Sequence, residues 1–252
     1  MAAIRFAATV SYDGTRFVGS QIQPNGPTVQ EELERAFERL FQAKGRVELA
    51  GRTDSGVHAS GQVAAFSAET RLDAATVGRA LNAHLPQDVA VRDVVVVPEG
   101  FDPRRWARKR RYRYTIWNGK VRAPLLRRTA WHVESQLSLP AMNEASEALA
   151  GQQDFIACSG PLEAGRTSVR TVSQAEWIRE GGLVLFDIAA DAFLPHMVRR
   201  LAGALVRVGQ RSLKPEEFAR LLRQAEPASM GPTAPAHGLC LQSVEYDEGY
   251  VL

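Results

Sequence analysis

The segment from Gly51 to Ala59 carries the densest set of reactive side-chain types in the 252-residue chain. It contains one carboxylate, Asp54, two residues from Arg52, and it lies between two strand-like stretches. An ionised carboxylate beside a cation is suited to nucleophilic attack or to proton removal. The alternative is a turn in which hydroxyl and carboxylate side chains bond their own backbone.

Two other kinds of chemistry fit this loop poorly. Gly51 and Gly56 have the spacing of a nucleotide-binding loop, but that loop needs Lys and then Ser or Thr after its second glycine, and here Val57 and His58 follow. A usual glycosidase needs two carboxylates about 5 to 10 Å apart, and the loop offers one. His58 leads into a strand, so we predict that it is a hydrogen-bonded structural residue.

Basic residues are concentrated in one part of the chain. Eleven of the 31 Lys and Arg residues, and none of the 28 Asp and Glu residues, lie between Pro103 and Val133. We call these eleven residues the basic belt: Arg104, Arg105, Arg108, Lys109, Arg110, Arg111, Arg113, Lys120, Arg122, Arg127 and Arg128. Arginines that alternate with aromatic residues favour nucleic-acid binding, because guanidinium groups contact phosphates and rings stack on exposed bases. A solvated charged surface is the alternative.

Composition excludes several other classes of protein. No apolar run approaches the roughly 20 residues that span a bilayer, and Met1 leads into a strand pattern without a signal peptide, so a cytoplasmic protein is expected. Cys158 and Cys240 lie among small or apolar residues, which argues against a disulfide framework. The five histidines lack ligand spacing, so no metal site is expected.

Hydrophobic periodicity predicts two α+β halves. Residues 1–103 are predicted to have the order βαββαβ, with helices capped at Thr28 and Asp73, and residues 104–252 repeat that order with added pieces. This is the ferredoxin-like arrangement, with antiparallel sheets. Two similar halves suggest a duplicated fold with a central cleft between them, and a site would lie in that cleft. From about Arg110 to Asn118 the alternation directs Tyr112 to one side of a strand.

A helix is predicted from about Phe193 to Val208, with Pro195 in its first turn. Arg199 falls on the apolar side of this helix, whereas Arg200, Ala204, Arg207 and Arg211 form a stripe that is predicted to be solvated. A guanidinium on a packed face needs an anion, because an unpaired buried charge costs several kcal/mol. Its partner is either a local acid such as Asp191 or, across the cleft, Asp54.

The ordered set of motifs resembles the TruA family of tRNA pseudouridine synthases along nearly the whole chain. The matching segments are Tyr12-Asp13-Gly14-Thr15 with Phe17, Gly19, Gln21 and Gln23; Gly51-Arg52-Thr53-Asp54 with Gly56-Val57-His58-Ala59 and Gly61-Gln62-Val63; Arg111-Tyr112-Arg113-Tyr114; Asp154-Phe155; Phe193-Leu194 with Met197-Val198-Arg199; and Gly238-Leu239. Two residues depart from the family pattern: Gln153 stands where a His commonly precedes Asp-Phe, and Cys240 stands where an aromatic residue commonly follows Gly-Leu.

The resemblance implies a role for each site residue. Asp54 looks like the catalytic aspartate, Tyr112 like the ring stacked on the target uracil, and Arg199 like the cation paired with Asp54. Arg52 looks like the residue that assists base flipping, either by taking the vacated space or by holding the phosphate. The basic belt, Arg110 and Arg111 above all, would contact the RNA.

The family's reaction is the conversion of uridine to pseudouridine at positions 38, 39 and 40 of the tRNA anticodon stem-loop. The resemblance also implies the fold, two ferredoxin-like halves whose antiparallel sheets are joined around the central cleft. It further implies a homodimer that uses no cofactor or metal. The alternative from another class is a tRNA-binding module without catalysis, which fits the basic belt equally well. Asp54 argues against that alternative, because a negative charge facing RNA weakens binding unless it takes part in chemistry.

Overall fold

The computed structural model describes residues 3–162 and 165–247, and in these residues it has ten β-strands and five α-helices. The strands are β1 Ile4–Tyr12, β2 Glu48–Leu49, β3 His58–Ala68, β4 Val89–Val96, β5 Lys109–Trp117, β6 Trp131–His132, β7 Gly151–Asp154, β8 Val169–Glu180, β9 Leu183–Ala190 and β10 Leu239–Glu245. The helices are α1 Val29–Phe41, α2 Ala74–His84, α3 Leu139–Glu147, α4 Met197–Gly209 and α5 Pro215–Gln224.

The chain forms two compact units. The first contains the residues up to Arg108 together with those from Leu241 onward, and the second runs from Lys109 to Cys240. These units differ from the two predicted domains. The predicted division lies after residue 103, and the second predicted domain extends to residue 252, whereas the second unit ends at Cys240. The reason is that most of β10 bonds to the first unit: the Ser60 hydroxyl donates to the Leu241 carbonyl at 3.4 Å, and the Arg108 N–H donates to the Glu245 carbonyl at 2.8 Å. The outermost residues of the predicted domains, 1–2 and 248–252, lie outside the described residues.

The first unit has the predicted order βαββαβ, followed by β10. In its sheet β1 lies between β4 and β3, while β2 and β10 both neighbour β3. Strand β1 is antiparallel to both of its neighbours, and Phe6 lies opposite Phe66 with stacked rings 5.6 Å apart. Phe37 from α1 meets Phe66 edge-on at 5.8 Å. This aromatic contact fixes α1 on one face of the sheet.

The second unit has a sheet in the order β5-β9-β8-β7, in which each pair is antiparallel, and β6 adds to β5 in parallel. The predicted alternation in β5 is confirmed, because Tyr112, Tyr114 and Ile116 are all buried. Trp177 of β8 stacks on Phe186 of β9 at 4.6 Å and forms part of the core beneath α3. The α+β class is thus confirmed for both halves, and their union around a central cleft stays a prediction.

Helix α4 departs from its predicted form. It begins at Met197, so Pro195 precedes the helix and does not lie in its first turn. The cause is His196, whose φ of 62° is left-handed and cannot continue a right-handed helix. The predicted solvated stripe is also wrong at Ala204, which is buried, and Arg200 is half-buried and donates to the Gly231 carbonyl at 2.7 Å.

The structure also bears on membrane spans, metal sites and disulfide bonds. Across the residues that the structure describes, every helix is too short or too polar to cross a membrane. Within the same residues, no group of three or more His, Cys, Asp or Glu side chains is placed to hold a metal ion. Cys158 and Cys240 are not joined in a disulfide.

Candidate active-site residues

The loop that carries Asp54 is fastened to the segment between β1 and α1. The Thr53 N–H donates to the Ser20 hydroxyl oxygen at 2.9 Å, and the Thr53 carbonyl accepts from the Ser20 N–H at 3.1 Å. The Thr53 hydroxyl also shares a 2.8 Å hydrogen bond with the Tyr12 hydroxyl. Asp54 itself forms an isolated β-bridge with Gly19. These bonds hold the backbone of Asp54 in place through its neighbours.

The other side of the loop is fastened to the same segment. The Gly56 N–H and the Ser55 hydroxyl both donate to the Phe17 carbonyl, at 3.2 and 3.3 Å. Gly14 approaches the loop so closely that a Cβ there would lie 2.0 Å from the Val57 carbonyl oxygen, which only glycine avoids. The alternative of a turn closed by its own polar side chains is therefore wrong for Thr53 and Ser55, which tie two segments together.

His58 has the structural role that the sequence predicts. It is the first residue of β3 and is 7% exposed. Its Nδ1 accepts the Gly14 N–H at 3.0 Å. The Asp13 carboxylate lies 3.2 Å from the same nitrogen. These contacts fasten the start of β3 to the segment that follows β1.

The side chains of the loop differ in their exposure to solvent. Arg52 is exposed and Asp54 is half-buried, whereas Thr53 between them is buried. The Gly51 carbonyl accepts from the Gln62 side-chain amide at 2.9 Å, which anchors the start of the loop to β3. The loop thus has a fixed backbone that presents a carboxylate and a guanidinium two residues apart.

In the second unit, packing holds Tyr112 in place. Its side chain is 8% exposed and belongs to β5, where it lies opposite Ile188 of β9. The ring meets Phe193 edge-on, with centroids 5.1 Å apart and an interplanar angle of 86°. Such edge-to-face contacts are favourable for aromatic pairs. The orientation of the Tyr112 ring is therefore set by the core of the second unit.

Arg199 lies on α4 and is held by the loop that precedes β10. Its Nε donates to the Ala234 carbonyl at 2.9 Å, Nη2 lies 3.5 Å from the Thr233 hydroxyl oxygen, and its own carbonyl accepts the Ala234 N–H at 3.0 Å. Gly203 on the same helix permits this approach, because a Cβ there would lie 2.7 Å from the Pro232 carbonyl oxygen. These neutral acceptors orient the guanidinium of Arg199.

The contacts of Asp191 bear on the choice of partner for Arg199. The Asp191 carboxylate accepts the N–H groups of Thr171 and Ala192, at 3.0 and 2.6 Å, so it stabilises the turn after β9.

Tyr114, near Arg199, donates its hydroxyl hydrogen to the Pro235 carbonyl at 2.7 Å. Burial raises the pKa of Tyr114 well above its usual range, and the positive charge of Arg199 opposes this shift.

The residues of the basic belt have different partners. Arg113 binds Asp187 through two 2.7 Å hydrogen bonds, and these bonds to a carboxylate raise the pKa of Arg113. Arg108 binds both oxygens of the Asp247 carboxylate in the same bidentate way, through Nε at 3.0 Å and Nη2 at 2.7 Å. By contrast, Arg110 donates to the carbonyl of Asp191 at 2.6 Å and Arg111 to the side-chain amide oxygen of Gln174 at 2.8 Å. The belt is therefore not uniform, because some of its charges are neutralised within the protein.

The structure thus distributes the predicted site residues over two units. Arg52 and Asp54 lie in the first unit, and the second holds four: Arg110, Arg111, Tyr112 and Arg199. The supporting roles of Tyr12 and Ser20 were not predicted from the sequence. Hydroxyl residues and glycines are dense from Tyr12 to Ser20, which indicates a bonded loop, but this density does not specify the hydrogen-bond partners.

Comparisons with known proteins agree on one family. The model of the family described as tRNA pseudouridine synthase matches residues 8–104 and 145–247. A tRNA pseudouridine synthase A from Myxococcus xanthus is 46% identical over 97% of this chain and 93% of its own length. Proteins with the same name from Geobacter sulfurreducens and Moorella thermoacetica are each 42% identical, over 94% of this chain and 97% and 98% of their own lengths.

A solved structure of an H/ACA ribonucleoprotein bound to a substrate RNA that contains 2′-deoxyuridine is also similar. The likeness covers 78% of this chain and 45% of the solved chain, at 14% identity and a TM-score of 0.37. A likeness this distant carries no argument about the site.

Proposed function

The chain belongs to the tRNA pseudouridine synthase family, and from that premise we propose that it isomerises uridine to pseudouridine at positions 38, 39 and 40 of the tRNA anticodon stem-loop. The observation that carries this proposal is the Asp54 loop, whose backbone is fastened on both sides while its carboxylate stays half-buried. A positioned carboxylate of this kind is what the reaction requires.

The proposed reaction balances without an external reagent. The bond between N1 and C1′ of uridine breaks, the detached uracil turns over, and a bond forms between C5 and C1′. The proton on C5 is lost and N1 gains one, so no net oxidation occurs and no water is consumed. Asp54 begins this sequence by attacking C6, by attacking C1′ or by removing a proton from the sugar.

Each further residue has one proposed role. Arg199 pairs with Asp54 and favours its ionised form, since a neighbouring cation stabilises a carboxylate. The Tyr112 ring stacks on the uracil, which contributes roughly 1 to 3 kcal/mol per base and still permits rotation. The Tyr112 hydroxyl relays the C5 proton. Arg52 assists base flipping, which costs a few kcal/mol.

RNA contacts offset the cost of flipping in this proposal. Arg110 and Arg111 contact phosphates, which guanidinium groups bind in a bidentate way. The first unit supplies the catalytic loop, while the second supplies the stacking ring and the arginine partner. We further propose that the protein acts as a cytoplasmic homodimer, which light scattering on the purified protein and cell fractionation would test.

The proposal is tested by tritium release from anticodon stem-loops labelled at uracil C5, because each pseudouridine formed sheds that hydrogen. Three substrates would carry a single uridine at position 38, 39 or 40, and a fourth would carry its only uridine on the 5′ side of the loop. We expect release from the first three alone. Tight binding of every RNA without release would favour the non-catalytic tRNA-binding module, and release from the fourth would contradict the proposed positions.

A further inference from the structure

A pocket of about 280 Å³ lies in the first unit beside the Asp54 loop. Its lining includes Arg52 of that loop and three other arginines, Arg46, Arg104 and Arg105. We propose that this pocket, which we call the arginine pocket, binds a phosphodiester group of the RNA strand that carries the target uridine. The inference rests on the proposed function, because it takes RNA as the substrate.

The acidic residues that line the arginine pocket are already engaged. Glu48 pairs with Arg5, which lies outside the lining. One carboxylate oxygen of Asp102 accepts the backbone N–H groups of Arg104 and Arg105, at 2.8 and 2.9 Å. The other lies 3.5 Å from the Arg105 Nε, in an exposed contact of the kind that contributes little. The four lining arginines therefore leave the pocket with a positive charge.

The turn that presents Arg104 and Arg105 is rigidly held. Phe101 is 2% exposed and packs against the rings of Trp106 and Tyr246, at 5.4 and 5.3 Å. The Tyr246 hydroxyl donates to the Pro103 carbonyl at 2.8 Å, and the Phe101 carbonyl accepts from Arg5 at 3.0 Å. Because Arg5 also pairs with Glu48 of β2, it joins two walls of the pocket. A preorganised frame of this kind lowers the entropic cost of binding an anion.

The opposite wall is also anchored through its backbone. The Val47 N–H donates to the Glu34 carboxylate at 3.1 Å, and the Val47 carbonyl accepts from the Gln30 side chain at 2.9 Å. Within residues 3–162 and 165–247, the side chains of Arg46 and Arg52 make no hydrogen bond or ion pair. Guanidinium groups without a hydrogen-bond partner among the described residues are suited to bind a phosphate in a bidentate way.

The position of the pocket favours an RNA phosphate over an independent anion. Arg52 lines the pocket and is two residues from Asp54, a chain distance of at most about 7 Å. Ser20, which also lines the pocket, accepts the Thr53 N–H. A strand with its uridine at Asp54 would therefore carry a neighbouring phosphate to the arginine pocket. This contact would fix the register of the strand while its base is flipped.

The test is a set of thermodynamic cycles between single arginines and single phosphates. Anticodon stem-loops would carry one uncharged methylphosphonate at each linkage near the target uridine, and their dissociation constants would be measured with wild type, Arg46→Gln and Arg105→Gln. The matched control is Arg71→Gln, which removes an exposed arginine of the first unit outside the pocket. All four proteins would be compared by thermal melting to verify equal folding.

We expect one linkage at which the methylphosphonate weakens wild-type and Arg71→Gln binding roughly tenfold, as for the removal of a charge-assisted hydrogen bond. At that linkage the methylphosphonate should weaken binding by Arg46→Gln and by Arg105→Gln only about threefold, because each substitution has already removed one of the arginines that the phosphate would bind. Equal weakening of all four proteins at every linkage would overturn the pocket assignment.

Tritium release on the same RNAs separates the two proposals. Release by the wild type, without coupling at any linkage, would overturn the arginine pocket and leave the proposed reaction standing. Coupling without release would overturn the reaction and retain the pocket as an RNA phosphate site.

Discussion

The proposed catalytic residues of the two units are held in place by different means. In the first unit, hydrogen bonds of the Thr53 backbone and hydroxyl to the segment from Tyr12 to Ser20 fix the loop, and the Asp54 side chain takes no part in these bonds. In the second unit, the side chain of Tyr112 is itself 8% exposed and belongs to the core. Arg199 is likewise held through its own guanidinium.

Because of this difference, a substitution at the proposed catalytic residue of the first unit should affect activity much more than stability. A substitution at Tyr112 in the second unit should affect both. A change to the Asp54 carboxylate removes chemistry and leaves every described backbone bond of its loop intact. A change to the Tyr112 ring removes both a proposed substrate contact and core packing. The two units should therefore respond differently to substitutions of similar size.

The largest effect is expected for Asp54→Asn. Conversion of uridine should fall by at least roughly 10³-fold, because the carboxylate is the proposed reactive group. The free energy of unfolding should fall by about 1 kcal/mol at most, since no core packing is removed and only the proposed pairing with Arg199 is weakened, and tRNA affinity should stay within several-fold. Single-turnover conversion and urea unfolding measure these quantities. Substantial residual conversion would remove Asp54 from the chemistry, and marked destabilisation would contradict the comparison.

Gly14→Ala tests the backbone support of the same loop. The added methyl group would meet the Val57 carbonyl at 2.0 Å, so we expect a loss of about 3 kcal/mol of stability and a displaced loop. The matched control is Gly51→Ala, where a Cβ has nothing within 4 Å and stability should hardly change. Equal stability of the two variants in urea unfolding would show that the close approach of Gly14 does not constrain the loop.

Tyr112→Phe and Tyr112→Ala separate the ring from its hydroxyl. The phenylalanine variant keeps the packing on Phe193, so its stability and tRNA affinity should be close to wild type, while conversion slows about 100-fold for want of a proton relay. The alanine variant should also lose about 3 kcal/mol of stability, because it removes a core ring. If Tyr112→Phe converts uridine at the wild-type rate, the hydroxyl has no role in proton transfer.

The smallest effect is expected from arginines of the basic belt. Replacing Arg110 and Arg111 together with Ala should weaken tRNA binding and reduce the slope of log Kd against log salt by about 0.7 to 0.9 for each phosphate that the protein no longer neutralises. Arg113→Gln is the control, because Arg113 is bound to Asp187 and should leave the slope unchanged. An equal change of slope in the two variants would mean that the bonds between Arg113 and Asp187 do not keep Arg113 from binding RNA.

Local sequence signals determined the elements well. The Thr28 hydroxyl accepts the Glu31 N–H at 3.3 Å and the Asp73 carboxylate accepts the Thr76 N–H at 2.7 Å, so the predicted caps of α1 and α2 are confirmed. The alternation in β5 is confirmed as well. These features depend on residues a few positions apart, which is why periodicity and capping predict them.

Where prediction failed, a backbone conformation or a distant partner was the cause. Helix α4 begins late because His196 is left-handed, and no local pattern signals this for a non-glycine residue. The side chain of Arg108 binds Asp247, 139 positions away, so a count of charges overstated the basic belt.

The sequence by itself determined the α+β class, the order of the elements and the family. The reason is that hydrophobic periodicity, helix caps and sequence motifs each depend on residues a few positions apart. It also identified Asp54, Tyr112 and Arg199 as candidates. Only the tertiary structure decided how each is supported: Thr53 meets Ser20 from 33 positions away, and the arginine pocket combines residues from four separate segments. Such partners are selected by the packing of whole units, which brings distant hydroxyl and guanidinium groups within hydrogen-bond distance of backbone atoms.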